Sequence, residues 1–225
     1  MLAAVIFDFD GIIVDTEPLH YKAFQEILVP LGLGYSWEEY LRRYIGFDDR
    51  DAFREAFRAG GKTIDGQELK VLIDQKAGAF SRIIDSGVEP YPGVLELIGS
   101  LEGNLPIGLC SGALRSDINP ILGQLGIAGA FDAVVTAEDV AASKPDPASY
   151  LLAVEKLAAL FPQKGIVPET CLAVEDTPAG IASATGAGLK VLAVANSYPE
   201  ERLEHAFRVV DSLAGIDCQS LRRIF

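Results

Sequence analysis

Val5-Ile6-Phe7-Asp8-Phe9-Asp10-Gly11-Ile12-Ile13-Val14-Asp15-Thr16-Glu17, close to the N-terminus of this 225-residue chain, is the stretch on which the reading of the rest depends. The apolar run over residues 3–7 is bulky and free of charge, which predicts a short buried strand. Asp8 ends it. Asp8 and Asp10 are two residues apart, so on an extended backbone their carboxylates project from one side. Gly11 then lets the chain turn without a Cβ penalty. Two carboxylates side by side repel, and burying them unpaired is costly. They become tolerable where a divalent cation or a fixed lysine sits between or beside them, which points to phosphate or metal chemistry. The same residues also fit ordinary turn chemistry after a strand, where Asp is common. The remaining chain has to decide.

Length and composition narrow the field. A chain of 225 residues allows one large domain or a core domain with a smaller one. Hydrophobic residues at 49% and charged residues at 23% are ordinary for a water-soluble globular protein. No apolar run reaches the roughly 18 residues needed to span a bilayer, so no membrane association is expected. The N-terminal run lacks a basic start and a cleavage site, so it does not read as a signal peptide. Cys110, Cys171 and Cys218 are widely spaced and form no metal pattern; they read as reduced thiols of a cytoplasmic protein. The net charge of −13, from 19 basic and 32 acidic residues, argues against nucleic acid as a partner. An anionic substrate would need its own local cations in so acidic a protein.

Beyond Glu17 the pattern is helical. Pro18 suits a first helical turn, and Leu19, Ala23, Phe24, Ile27, Leu28 and Leu31 recur at helical spacing before Gly32 and Gly34. Ser36-Trp37-Glu38-Glu39 has the capping-box pattern and opens a second helix towards Ile45, broken at Gly46. Ala52, Phe53, Ala56 and Phe57 mark a third, and Leu69 to Ile84 a fourth. Residues 16–87 are therefore expected to form a small all-helical domain with Phe24, Tyr40, Phe53, Phe57 and Phe80 in its own core. Pro90-Tyr91-Pro92-Gly93 marks the return to a domain made of residues 1–15 and 88–225. There strands and helices alternate: helix 94–101, strand 107–110, helix 118–125, strand 133–136, a helix started by Asp146-Pro147, strand 171–174, a helix started by Thr177-Pro178, strand 190–195, a short helix 199–207 and a weak last strand 208–210. Alternation of this kind predicts an α/β fold, a doubly wound, mainly parallel sheet covered on both faces.

In open α/β sheets, ligands collect beyond the carboxyl ends of the strands. Those ends carry Asp8 and Asp10, then Ser111, then Lys144 in a loop, then Glu175 and Asp176. Each has a plain alternative: Ser111-Gly112 as a turn, Lys144 as a solvated loop residue, Glu175-Asp176 as charges favoured by a helix dipole. Their joint appearance at consecutive strand ends makes one polar pocket of four acids, one lysine and one hydroxyl.

At this point the chain resembles a known family. Phe7-Asp8-Phe9-Asp10-Gly11-Ile12 with Asp15-Thr16-Glu17, Cys110-Ser111-Gly112, Ser143-Lys144-Pro145-Asp146-Pro147, and Val174-Glu175-Asp176-Thr177-Pro178-Ala179-Gly180 are similar to the four signature motifs of the haloacid dehalogenase superfamily. The helical insertion after the first motif resembles the cap of its phosphatase and phosphoglucomutase-like branch, and the core is then expected to be Rossmann-like. The resemblance implies that Asp8 attacks phosphorus to give an aspartyl-phosphate. Asp10 then protonates the departing oxygen and later takes a proton from the hydrolytic water. It also implies Mg2+ held by the Asp8 side chain, the Asp10 backbone carbonyl and Asp176, with Glu175 assisting. Lys144 would neutralise Asp8 and the phosphoryl oxygens, which Ser111 and the Gly112 N–H would also bind. The physics is consistent, because a carboxylate meeting a phosphate dianion is opposed by about 4 kcal/mol per charge pair at ~4 Å and an effective dielectric of ~20. The second aspartate marks the phosphoryl-transferring branch rather than the dehalogenases. A receiver-type signalling domain, which also phosphorylates an aspartate, is about half this length and has no helical insertion after its first strand.

The helical insertion bears on substrate. His20 and Lys76 sit where β-phosphoglucomutases also have a histidine and a lysine, with Glu17 nearby; His20 also fits a surface helix position. Those mutases carry a Gly-x-Ser-Arg stretch that holds a distal phosphate. Here Gly46-Phe47-Asp48-Asp49-Arg50 stands in its place, with aspartates that repel a second phosphate and Arg50 displaced by one position, a rotation of about 100° on a helix. The expectation is a monophosphate hydrolase acting on a small phosphorylated metabolite, phosphoglycolate or a sugar monophosphate, with a phosphosugar mutase as the alternative. Oligomeric state is not legible.

Overall fold

The computed structural model describes residues 1–45, 47 and 49–225. Within the described residues the chain divides into two compact units, one made of Met1–Asp15 with Glu89–Phe225 and the other of Thr16–Val88. Two positions of the stretch set against the mutase pattern, Gly46 and Asp48, lie outside the described residues.

The first unit is built on β1 (Ala4–Phe7), β2 (Ile107–Cys110), β3 (Ala133–Val135), β4 (Cys171–Glu175), β5 (Lys190–Val194) and β6 (Arg208–Val210). They form one sheet in the order β3-β2-β1-β4-β5-β6, with every neighbouring pair parallel. All four residues of β1 are fully buried, as expected of a central strand covered on both faces. Winding reverses between β1 and β4, which opens a crevice at their carboxyl ends. Register fixes what stands there. Phe7 lies opposite Leu109 on one side and Val174 on the other, so one step further along the strands Asp8, Cys110 and Glu175 come level.

The helices α5 (Val94–Leu101), α6 (Arg115–Gln124), α7 (Ala148–Leu160), α8 (Pro178–Gly186) and α9 (Cys218–Ile224) cover this sheet. Ala4 and Ile6 share a core with Tyr150, Ala153, Val154 and Leu157 of α7 and Ile181 and Ala184 of α8. Helix α7 begins at Ala148 rather than at Asp146-Pro147, and the Asp146 carboxylate accepts from the Ala148 N–H. Residues 199–207 give only one tight turn, Glu200–Arg202; Leu203 is fully buried there and Ala206 is only partly so, too little apolar surface for a longer helix. Helix α9 was not expected.

The second unit holds α1 (Glu17–Leu28), α2 (Trp37–Arg43), α3 (Asp49–Ala59) and α4 (Gly66–Asp85). Ser36 accepts from the Glu39 N–H and caps α2; Asp65 accepts from Gln67 and Glu68 and caps α4. Phe24, Tyr40, Phe53, Phe57, Leu69 and Leu72 form its core, and Phe80 is buried too. No helix among the described residues is long and apolar enough to cross a membrane.

Candidate active site

Asp8 follows β1 directly, and its N–H donates to the Val174 carbonyl of β4 at 2.9 Å. The chain then folds back sharply. Gly11 donates to Val14 O at 2.8 Å and Ile13 to Phe9 O at 2.8 Å, while Asp10 bridges Val14 and Val14 bridges Pro90. Gly11 sits at φ +79°, and a Cβ on it would stand 1.8 Å from an Asp176 carboxylate oxygen. Only a glycine lets the turn carrying Asp10 pass this close to Asp176.

Lys144 joins the strand ends. Its Nζ lies 2.8 Å from Asp8 Oδ1 and 2.6 Å from Glu175 Oε1, and donates to the Cys110 carbonyl at 3.1 Å, just before Ser111. The Lys144–Pro145 peptide bond is cis. Glu175 is completely buried. Its Oε1 also takes the Tyr150 hydroxyl at 2.7 Å, and its Oε2 lies 3.3 Å from the Asp176 N–H. Helix α8 starts beside it, with Thr177 accepting from Gly180. A Cβ on Gly180 would stand 1.9 Å from Glu175 Oε2, so that helix position must be bare for the carboxylate to fit. Ser111 is buried and its hydroxyl accepts from the Ala113 N–H at 3.0 Å; Gly112 is exposed, with open space where its Cβ would be.

Three buried acids face one lysine, and their pKa values register it. Burial first and Glu175 second push Asp8 well above the usual carboxylate range, with Lys144 opposing. Burial alone would lower Lys144, but Asp8 and Glu175 hold it raised and charged. Asp176 is pushed up to about 7, chiefly by burial, with Glu175 adding to it. The nearby Ser197 hydroxyl and Lys144 pull it back only in part, and neither Asp176 oxygen has a hydrogen-bond partner of proper geometry. A buried carboxylate with both oxygens unpartnered is an unfinished site. Asp8, Glu175 and Asp176 each offer one oxygen within 4.8 Å of the others, a set of hard ligands suited to a metal ion.

The helical unit carries a second polar cluster. Lys76, 3% exposed, lies 2.9 Å from His20 Nδ1 and 2.7 Å from Asp49 Oδ1, above the rings of Phe24 and Phe80. His20 stacks on Phe80, and burial followed by the Lys76 charge holds it at about 3, hence neutral. Glu17 accepts from the Tyr40 hydroxyl at 2.5 Å.

The family profile for haloacid dehalogenase-like hydrolases matches residues 5–194. The chain belongs to this family. Among haloacid dehalogenase-like proteins it is 31% identical over 192 residues to the fructose-1-phosphate phosphatase YqaB of Escherichia coli (strain K12), covering 85% of this chain and 96% of that one. It is 33% identical over 207 residues to protein CbbY of Rhodobacter capsulatus, covering 88% and 87%. A crystal structure of β-phosphoglucomutase from Clostridium difficile superposes with a TM-score of 0.79 at 26% identity, over 100% of this chain and 97% of that one. The parallel six-stranded sheet is the Rossmann-like core of the family, and the chain is a phosphoric monoester hydrolase of the haloacid dehalogenase type.

Of the residues singled out in the sequence, Asp8, Lys144, Glu175 and Asp176 come together in direct contact or within ligand distance. Asp10 and Gly11 occupy the adjoining turn, and Ser111 and Gly112 follow β2. His20 and Lys76 meet in the helical unit, but Arg50 is exposed on α3 and its neighbour Asp49 reaches Lys76 instead. Two residues of the core were missed. Tyr150 reads as an apolar helix position, although a buried tyrosine hydroxyl usually finds a partner. Asn196 lies just past β5, where an asparagine fits an ordinary turn; its amide donates to the Gly11 carbonyl at 2.7 Å.

Proposed function

We propose that this protein hydrolyses a small phosphorylated metabolite, of the sugar monophosphate or phosphoglycolate class, through an aspartyl-phosphate on Asp8. One observation carries the reading: Lys144 ties Asp8 to Glu175 beside an Asp176 whose carboxylate is buried and unpartnered. Asp8 attacks the phosphorus in line while Lys144 offsets its charge and that of the phosphoryl oxygens. Ser111 and the Gly112 N–H receive those oxygens as charge spreads over them. Asp10, half-buried on the tight turn, gives a proton to the departing oxygen and then takes one from the water that releases phosphate. Mg2+, held by Asp8, Asp176 and the Asp10 carbonyl with Glu175 assisting, would supply the positive charge that lets two anions meet.

The named relatives include both a fructose-1-phosphate phosphatase and a β-phosphoglucomutase, so transfer of phosphate within a sugar is the second reading. The His20–Lys76 pair favours it. Against it, Lys76 is already paired with Asp49, which leaves less charge for a second phosphate. In the hydrolase reading Glu17, His20, Arg50 and Lys76 bear on which monophosphate is accepted.

The test is a metal-dependent phosphate-release screen over phosphorylated metabolites, run beside Asp8→Asn. Release from one or a few monophosphates, abolished by chelator and reduced about a thousandfold or more in the variant, is the expected result. Conversion of β-glucose 1-phosphate to glucose 6-phosphate with a bisphosphate primer, and no release, would establish the mutase instead.

A further inference from the structure

The turn that carries Asp10 is held from inside by Gly11 N–H to Val14 O and Ile13 N–H to Phe9 O. Asn196 adds a tie from a distant part of the chain. It stands two residues beyond β5, half-buried, and its side-chain amide donates to the Gly11 carbonyl at 2.7 Å across 185 residues of sequence. Gly11 is a poor place for the backbone to hold itself, since a glycine at φ +79° has many other conformations open to it. A side chain cannot supply the missing restraint, because a Cβ here would stand 1.8 Å from an Asp176 carboxylate oxygen. The Asp10–Gly11 peptide is held through the Gly11 N–H bond to Val14 O, and the next peptide, Gly11–Ile12, through the Asn196 bond to the Gly11 carbonyl. The turn is thus tied on both sides of Gly11, one residue after Asp10.

We propose that Asn196 is a positioning residue for Asp10: its hydrogen bond fixes the Gly11–Ile12 peptide and, together with the Gly11 N–H bond to Val14 O, holds the turn that aims the Asp10 carboxyl. The inference rests on the hydrolase reading, in which Asp10 moves the protons. Nothing in the family motifs matched above includes Asn196. Its role follows from the contact alone. Without the donor, the Gly11 carbonyl is left to rotate towards water, and Asp10 moves with it. A displacement of about 1 Å at a proton-transferring group costs on the order of a hundredfold in rate.

The consequence depends on the leaving group, and that separates positioning from general damage. An alkyl or sugar alkoxide needs a proton as it departs, whereas nitrophenolate leaves without one. Asn196→Ala should slow phosphoryl transfer from the best sugar monophosphate by about 10- to 100-fold, with KM changed less than about twofold. The pre-steady-state burst of nitrophenolate from p-nitrophenyl phosphate should keep its rate, while the turnover that follows slows because Asp10 must still deprotonate water. Asn196→Asp, which removes the donor and adds an anion near Asp176, should do the same more severely. Asn196→Gln, which restores a donor, should recover part of the loss. A variant that loses the nitrophenolate burst and the sugar phosphate reaction together, or neither, overturns the inference. A wild-type protein that releases phosphate from no monophosphate with metal present sinks the hydrolase reading, and this inference with it.

Discussion

At the scale of single residues, Asp176 shows how the fold prepares for something it does not itself contain. Its carboxylate is 1% exposed, neither oxygen meets hydrogen-bond geometry with any group among the described residues, and it is held at about 7 instead of 3.8. Between those values the folded protein binds more protons than the unfolded chain, so in the absence of metal this group makes stability fall as pH rises from about 4 to 7. A bound cation reverses the relation, because it competes with the proton for the same oxygens. Added Mg2+ should therefore raise the melting temperature more at pH 8 than at pH 5.5, and Asp176→Asn should abolish that difference; an equal rise at both values would argue against Asp176 as a ligand. Gly180 makes the complementary point about space. Gly180→Ala places a methyl group on the Glu175 carboxylate, which has to move and release Lys144. The expected cost is about 3 kcal/mol by urea unfolding, at the upper end for overpacking, with kcat down about a hundredfold. Gly186→Ala on the same helix meets only the Pro147 ring at 3.6 Å and should stay within about 1 kcal/mol of the parent. Residues of this kind divide by legibility. Asp8, Lys144, Glu175 and Asp176 were readable because each lies at a strand end or in the loop beyond one, and that position is a matter of chain order. Tyr150 was not, since its hydroxyl meets Glu175 only once α7 packs on the sheet, and Asn196, although past a strand end, is an uncharged turn-type residue whose bond to Gly11 no local pattern announces.

At the scale of elements, the alternation of strands and helices could be read because β1, β2 and β4 are uniformly buried and carry no charged side chain before Glu175 at the end of β4. Helix α9 could not: seven residues span two turns, and only Cys218 and Leu221 are buried, too few for a period to show. In the helical unit, caps at Ser36 and Asp65 locate α2 and α4, and Ser36 was visible as a pattern before its bond was. The unit also hides an ion pair that spacing does not reveal, since Lys76 on α4 and Asp49 on α3 meet only when those helices pack. Asp49→Ala leaves Lys76 buried against His20 and two aromatic rings without its counter-charge. That should cost about 2 kcal/mol, less than the ~3–5 of a fully buried pair because Asp49 is about a third exposed. The double variant Asp49→Ala, Lys76→Met should recover much of it. If Lys76 bears on substrate choice, the single variant should also shift preference from monophosphates towards bisphosphates, measured as a ratio of kcat/KM values. An unchanged ratio would remove these residues from the specificity argument.

At the scale of the whole molecule, a chain with net charge −13 is set to work on an anion. The conflict is resolved locally. Lys144 stands within salt-bridge distance of Asp8 and Glu175, and these two acids together with Asp176 offer three oxygens suited to a metal ion. In the proposed reaction the chemistry depends on one covalent event, transfer of the phosphoryl group to Asp8. The most direct measurement is reductive trapping. The protein is mixed with its best monophosphate and Mg2+, quenched with labelled borohydride, digested and sequenced by mass spectrometry. Homoserine at position 8, formed only with substrate and absent in Asp8→Asn, is the expected result. Steady turnover with no label at position 8, or with label at another residue, would contradict the aspartyl-phosphate route.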